Sequence, residues 1–227
     1  KLGNNDAPTA VFVGRIQNCF SWNLSGWADG IAVYGASTSL TFTACYTTGS
    51  RFYISGLVYS SFISCASDGS KDYGYVITST TDYNATNLTF LSCGSESCGL
   101  SGFCLESFVQ NCSFLNCYEA NNNLDNHSSF GAFMSILPKY GDFNYWVKNI
   151  IITNPSSYSR NGNNSIYSSE NVENIRIENT SKKVLRKPIW VAGNEMWRLD
   201  ITGDMENIPF TPRVDNIVSG TITKTKK

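Results

Sequence analysis

Phe42-Thr43-Ala44-Cys45, Phe62-Ile63-Ser64-Cys65, Phe90-Leu91-Ser92-Cys93 and Phe114-Leu115-Asn116-Cys117 repeat one motif, Phe-x-x-Cys, with the cysteines 20, 28 and 24 residues apart. A recurrence in this range marks a repeat architecture, in which each unit stacks on the next to bury a shared core. Downstream the motif gives way to short alternating runs: Lys148-Asn149-Ile150-Ile151-Ile152, Glu173-Asn174-Ile175-Arg176-Ile177, Trp197-Arg198-Leu199-Asp200-Ile201 and Asn216-Ile217-Val218. A second set of strand-like runs lies between them, at 30–35, 51–56, 73–78, 102–107, 131–136 and 188–193. Both sets are rich in β-branched and aromatic residues and are bounded by Gly, Asn, Ser or Asp, which is strand and turn chemistry. No stretch has the periodicity of an amphipathic helix. Two or more strands per period, no helix and no Leu/Asn consensus point to an all-β, right-handed, single-stranded parallel β-helix of roughly nine or ten rungs rather than a leucine-rich repeat. Equivalent residues of successive rungs then form ladders about 4.8 Å apart, with the Phe and Cys ladders as core.

The cysteines read as one position of the repeat. Four of the eight share the same context, and their spacing is not that of a CxxC…CxxC zinc site. They are expected as reduced, buried thiols that act as small hydrophobes. A disulfide framework is the alternative, because Cys98, Cys104 and Cys112 stand outside the ladder.

At 227 residues and 25.1 kDa, one domain with a continuous core is expected. The expected β-helix body covers residues 1–208, with a long excursion at 118–146, and residues 209–227 are a C-terminal coil or cap of the same domain. Only 15% of the residues are charged, so an abundance of Gly, Asn, Ser and Thr covers the surface, which suits contact with sugars. Residues 1–150 carry six Lys/Arg against ten Asp/Glu and residues 151–227 eleven against eight; neither half has the basic footprint of a nucleic-acid binder. No apolar window approaches a bilayer span, and the first residues lack the h-region of a signal peptide. The chain begins at Lys1 without an initiator Met, so it is expected to be a mature or trimmed portion of something longer.

Candidate chemistry follows from the same alignment. Asp68 and Glu96 each lie three residues after a ladder cysteine and Glu119 two after, which predicts that the three stack on one edge. Carboxyl groups on adjacent rungs come within the separation that glycoside hydrolysis requires, and like charges so placed drive one pKa up, making an acid and a base. The competing role for all three is capping of the turn after each strand; Asp72 and Asp29 are lesser candidates and read as turn residues. Exposed aromatic rings are the usual sugar platforms. Trp22, Tyr73, Tyr118 and Trp146 are favoured from a set that also contains Trp27, Tyr34 and Tyr145, because they fall in turns or in the excursion. His127 is the only histidine, so a His-based metal cluster is excluded and a Ser-His-Asp arrangement has no supporting motif. The acids are too sparse for a Ca²⁺ cage of a polysaccharide lyase, and no cofactor is implied. Seven Asn-x-Ser/Thr sequons arise by chance in so Asn- and Ser-rich a chain.

The segments Gly26-Trp27-Ala28-Asp29-Gly30-Ile31, Ser64-Cys65-Ala66-Ser67-Asp68-Gly69, Tyr73-Gly74-Tyr75 and Ser92-Cys93-Gly94-Ser95-Glu96 resemble the pectate-lyase-like β-helix of bacteriophage tailspikes. The likeness covers residues 14 to 120 and continues only as generic Asn-Ile-x-Ile coils. It implies a homotrimer on the virion tail, outside the host cell, that binds and usually cuts a capsular or O-antigen polysaccharide. Two other classes share the architecture: a receptor-binding spike without catalysis, and a β-helical adhesin or autotransporter passenger.

Overall fold

A computed structural model describes residues 10–23, 25–79, 83–124, 131–138, 146–157, 166–168, 172–178, 195–202 and 219–226. The chain coils through three sheets in turn. The first contains Phe12–Gln17, Thr38–Thr43, Val58–Ile63, Ala85–Leu91, Val109–Leu115, Val147–Thr153 and Val172–Glu178 as parallel neighbours. The second stacks Phe20–Trp22, Tyr46–Thr48, Ala66–Asp68, Gly94–Glu96, Tyr118–Ala120 and Ser156–Ser157. The third stacks Ala28–Val33, Ser50–Ser55, Tyr75–Thr78, Phe103–Leu105, Met134–Ile136 and Ile166–Ser168. Each coil contributes one strand to each sheet, so every strand pairs with its counterparts one coil away. This is the expected right-handed parallel β-helix.

Two aromatic columns fill the interior. Phe42, Phe62, Phe90 and Phe114 stack face to face from the first sheet, with centroids 4.5, 4.8 and 4.7 Å apart and rings within 6° of parallel. Phe52, Tyr75 and Phe103 form a second stack from the third sheet at 4.7 and 4.6 Å. The stacks meet edge to face, Phe52 on Phe62, Tyr75 on Phe90 and Phe103 on Phe114. Positive ring edges thus meet negative faces, while each buried ring contributes roughly 1.5–3 kcal/mol through burial alone. Cys45, Cys65, Cys93 and Cys117 line the adjoining corner as the expected column of buried free thiols. Cys93 and Cys117 donate back to the carbonyls of Phe62 and Phe90 at 3.3 and 3.4 Å. All eight cysteines are free, so the disulfide alternative does not hold; Cys98, Cys104 and Cys112 are also buried.

The corner that precedes each ladder position turns on one left-handed residue: Asn18, Ala44, Ser64, Ser92, Asn116 and Asn154, with φ between 50° and 54°. A single such residue swings the chain from the first sheet into the second; after Ala44, Ser64, Ser92 and Asn116 the next side chain is a buried cysteine, whereas Cys19 after Asn18 is exposed and Pro155 follows Asn154. A second left-handed column kinks the strands of the first sheet at Val13, Ser39, Tyr59, Asn87, Asn111, Asn149 and Asn174.

Three expectations change in detail. The described residues form six complete coils and the first strand of a seventh, fewer than the nine or ten rungs expected. Glu195–Thr202 is not a further rung: it runs antiparallel to Ser219–Lys226, which itself lies antiparallel to Val172–Glu178. Alternation in a strand encodes which residues face inward but not the strand's direction. Asn216–Val218 and the 188–193 run lie outside the described residues. Finally, the 118–146 segment is not all excursion, because Tyr118–Ala120 and Met134–Ile136 are regular strands of the fifth coil; residues 125–130 and 139–145 lie outside the described residues.

Candidate functional site

The outward face of the second sheet brings together four of the residues that the sequence singled out. Its first five strands are three residues long, so each presents its first and third side chains outward. The first positions form a column in the order Phe20, Tyr46, Ala66, Gly94, Tyr118, and the third positions a column in the order Trp22, Thr48, Asp68, Glu96, Ala120. Phe20 and Trp22 are 64% and 67% exposed, which is unusual for rings of this size inside regular strands. Phe20 and Tyr46 stack at 5.8 Å with planes 8° apart.

Asp68 and Glu96 are register partners on adjacent rungs, as the spacing predicted. Each is held by a tyrosine from the neighbouring coil. Tyr46 donates its hydroxyl to Asp68 Oδ2 at 3.2 Å, and Tyr118 donates to Glu96 Oε1 at 3.0 Å. Burial pushes the Tyr118 phenol up to about 12, reinforced by the bond to Glu96 and its charge. Burial is also the main cause of the upward shift at Tyr46. Both hydroxyls therefore keep their protons and act as donors across the ordinary pH range.

Glu119 does not join this pair. Its rung partner is Ser95, and it belongs to the inward column Thr47, Ser67, Ser95, Glu119, all fully buried. There it accepts the backbone N–H of Asn122 at 3.2 Å. Lying two residues after the cysteine instead of three reverses its face, since strand side chains alternate. Trp146 and Tyr73 are also away from this face. Trp146 stands before the first-sheet strand Val147–Thr153, edge-on to Phe108 at 5.6 Å and under the Lys148 ammonium at 4.3 Å. Tyr73 stands beside the third sheet, hydrogen-bonded to Cys104, with its phenol pushed well up by burial. His127 and Tyr145 lie outside the described residues.

A second polar group assembles on the third sheet. Asp29, Arg51 and Asp72 come from three successive coils: Arg51 Nε donates to Asp29 Oδ1 at 2.8 Å, and its Nη1 pairs with Asp72. Tyr34 donates to Asp29 Oδ2 at 2.8 Å, and the Arg51 guanidinium lies 5.3 Å from the centre of the Tyr53 ring. The three charged side chains are about four-fifths buried. Burial raises the Asp72 carboxyl against the opposing pull of Arg51. Burial pulls Arg51 down, but the bond to Asp29 and the charges of both aspartates outweigh it and leave the guanidinium raised. Burial and the bond to Asp29 push Tyr34 up to about 12. Asp29 and Asp72 are thus not plain turn residues. A local irregularity of the third sheet between Asp29 and Ile31 sets the first of them; Gly30 sits at that point because a Cβ there would collide with Ser50 Oγ.

No known family and no curated protein matches the sequence. Solved structures do resemble it. Among them is the A-module of the mannuronan C-5 epimerase AlgE4 from Azotobacter vinelandii, 14% identical, with a TM-score of 0.40, matched over 73% of this chain and 54% of that one. The chain thus spans about half the length of that structure.

Chemically, the second-sheet face offers exposed ring surfaces, two carboxylates as acceptors for sugar hydroxyls, and a spacing of about 4.8 Å between the backbones that carry them. Among the described residues no three His, Cys, Asp or Glu side chains are grouped to hold a metal ion.

Proposed function

We propose that this chain is the β-helical body of a phage tailspike that binds a bacterial capsule or O-antigen along the second-sheet face and hydrolyses it with Asp68 and Glu96. The observation that carries the reading is the join of that carboxylate pair, on adjacent rungs, to a strip of rings that includes the exposed Trp22 and the half-buried Tyr118. In the reaction one carboxyl protonates the leaving glycosidic oxygen. The other either activates water or attacks the anomeric carbon, according to the final separation of the two groups. Assembly as a homotrimer on the virion tail belongs to the same proposal.

Glu96 is exposed, and that favours a second reading in which the same face binds without cutting. The deciding experiment is the size distribution of purified capsular and O-antigen polysaccharides after incubation with the protein and with the Asp68→Asn and Glu96→Gln variants. Shortening that either folded variant loses establishes the hydrolase. Retention of an unshortened polymer by the protein leaves a receptor-binding spike.

A further inference from the structure

The two outward columns of the second sheet are separated by one residue along each strand, about 7 Å, so the strip is narrow across the strands and long along the solenoid axis. The rings stand at its ends: Phe20 and Trp22 on the first coil, Tyr46 on the second, Tyr118 on the fifth. From the first to the fifth coil is four rung spacings, about 19 Å. Between Tyr46 and Tyr118 the first column holds only Ala66 and Gly94, the Tyr118 ring reaches back over Gly94, and beside them stand Asp68 and Glu96. The pattern is a platform at each end and acceptors in the middle. A pyranose ring has an apolar, slightly positive C–H face that packs on an aromatic face, and hydroxyls at its edge that donate to carboxylates.

The charged side chains on this strip are both acids. Its strands carry no Lys or Arg at an outward position, and the hydroxyls of Tyr46 and Tyr118 are already given to Asp68 and Glu96. Lys71, on the turn after Asp68, lays its stem over Gly26 in the corner toward the third sheet. A sugar carboxylate set down beside Asp68 and Glu96 would face two acids with no cation on the strip to pair with it.

From this we infer the class of ligand: an extended glycan that lies along the solenoid axis, reaches from the first coil to the fifth, and bears no carboxylate on the units over Asp68 and Glu96. Neutral and amino-bearing sugars meet that description and uronic acids do not. The inference rests on the reading that this face binds polysaccharide.

A glycan array of neutral, amino-bearing and uronic oligosaccharides of graded length tests it, probed with the protein and with the Trp22→Ala, Tyr118→Ala and Asp68→Asn/Glu96→Gln variants. Hits should be neutral or amino-bearing and extended, with short fragments at least about tenfold weaker. They should be lost in Trp22→Ala and Tyr118→Ala, and the double variant should narrow the discrimination against uronic chains. Uronic hits that depend on Tyr118, or disaccharides that bind as well as long chains, overturn the inference and leave the binding face intact. Hits that survive both aromatic variants, or no hits at all, overturn the binding face and the inference together.

Discussion

Tyr118 reaches back one coil to donate its hydroxyl to Glu96, and its ring occupies the space over Gly94 where any side chain would collide with it. The absent side chain in one coil therefore positions the tyrosine of the next. Gly94 has no left-handed φ to accommodate, so Gly94→Ala tests packing rather than backbone strain. The substitution should displace the Tyr118 ring and break the bond to Glu96 while the stacked core persists. We expect polysaccharide binding to weaken about tenfold, close to the effect of Tyr118→Ala, and thermal stability to change by no more than about 1 kcal/mol. Affinity measurements beside melting curves for both variants check this. Unchanged affinity in Gly94→Ala would show that the orientation of Tyr118 is immaterial to binding.

The Asp29, Arg51 and Asp72 cluster gives the fold an alkaline limit. Tyr34 donates to Asp29 within it, and burial together with that bond holds the Tyr34 phenol up at about 12, against 10 for the free side chain. The folded state binds this proton more tightly than the unfolded chain does. Its contribution to stability is therefore complete below about pH 10 and is lost as pH rises through about 12. Tyr34→Phe removes that contribution at all pH values, so the variant should be less stable at pH 8 and should lose less on going from pH 9 to pH 12. Urea unfolding across that range reads both effects, and an alkaline limb as steep in the variant as in the parent would assign it to other groups.

The ladders were legible in the sequence because stacking forces like residues into like positions: Phe42, Phe62, Phe90 and Phe114 announce their own contacts. Asp68 and Glu96 were legible for the same reason, each being three residues past a ladder cysteine. Glu119 shows the limit, since one residue of offset turns a surface acid into a buried one. The Asp29, Arg51 and Asp72 cluster repeats nothing. It joins unlike residues across turns of different length, and one of them is set by a sheet irregularity that no periodicity carries. The direction of the last two strands was equally hidden, because a parallel and an antiparallel strand bury the same alternation.

Tyr75 stands in the second aromatic stack, between Phe52 and Phe103, with its ring fully buried and its hydroxyl without a hydrogen-bond partner. Burial raises its phenol well above the ordinary value. An unsatisfied hydroxyl in such a core costs about 1–3 kcal/mol, whereas the ring itself is stabilising. Tyr75→Phe should keep both stacks and raise stability by about 1 kcal/mol, measured by denaturant midpoint at unchanged m-value. A loss of stability would mean that the hydroxyl gains from its contacts with the neighbouring thiol column more than its burial costs.

Tyr59 sits in the left-handed column of the first sheet with φ 47°, 68% exposed, one rung from Asn87. Further along, the same column is asparagine, and its side chains link coil to coil: Asn149 donates to Asn111 and Asn174 to Asn149, both at 3.0 Å. Asparagine tolerates this backbone because its short amide bonds locally, while other side chains pay roughly 1–2 kcal/mol for it. Tyr59→Asn should relieve that strain and place an amide where it can bond Asn87, extending the asparagine ladder toward the second coil. The expected gain is about 1 kcal/mol, read from thermal or denaturant unfolding. Tyr59→Ala separates the two sources: it discards the ring without adding an amide, and should leave stability near the parent value. If alanine stabilises as much as asparagine does, the gain comes from removing the exposed ring, and the ladder contributes nothing at this rung.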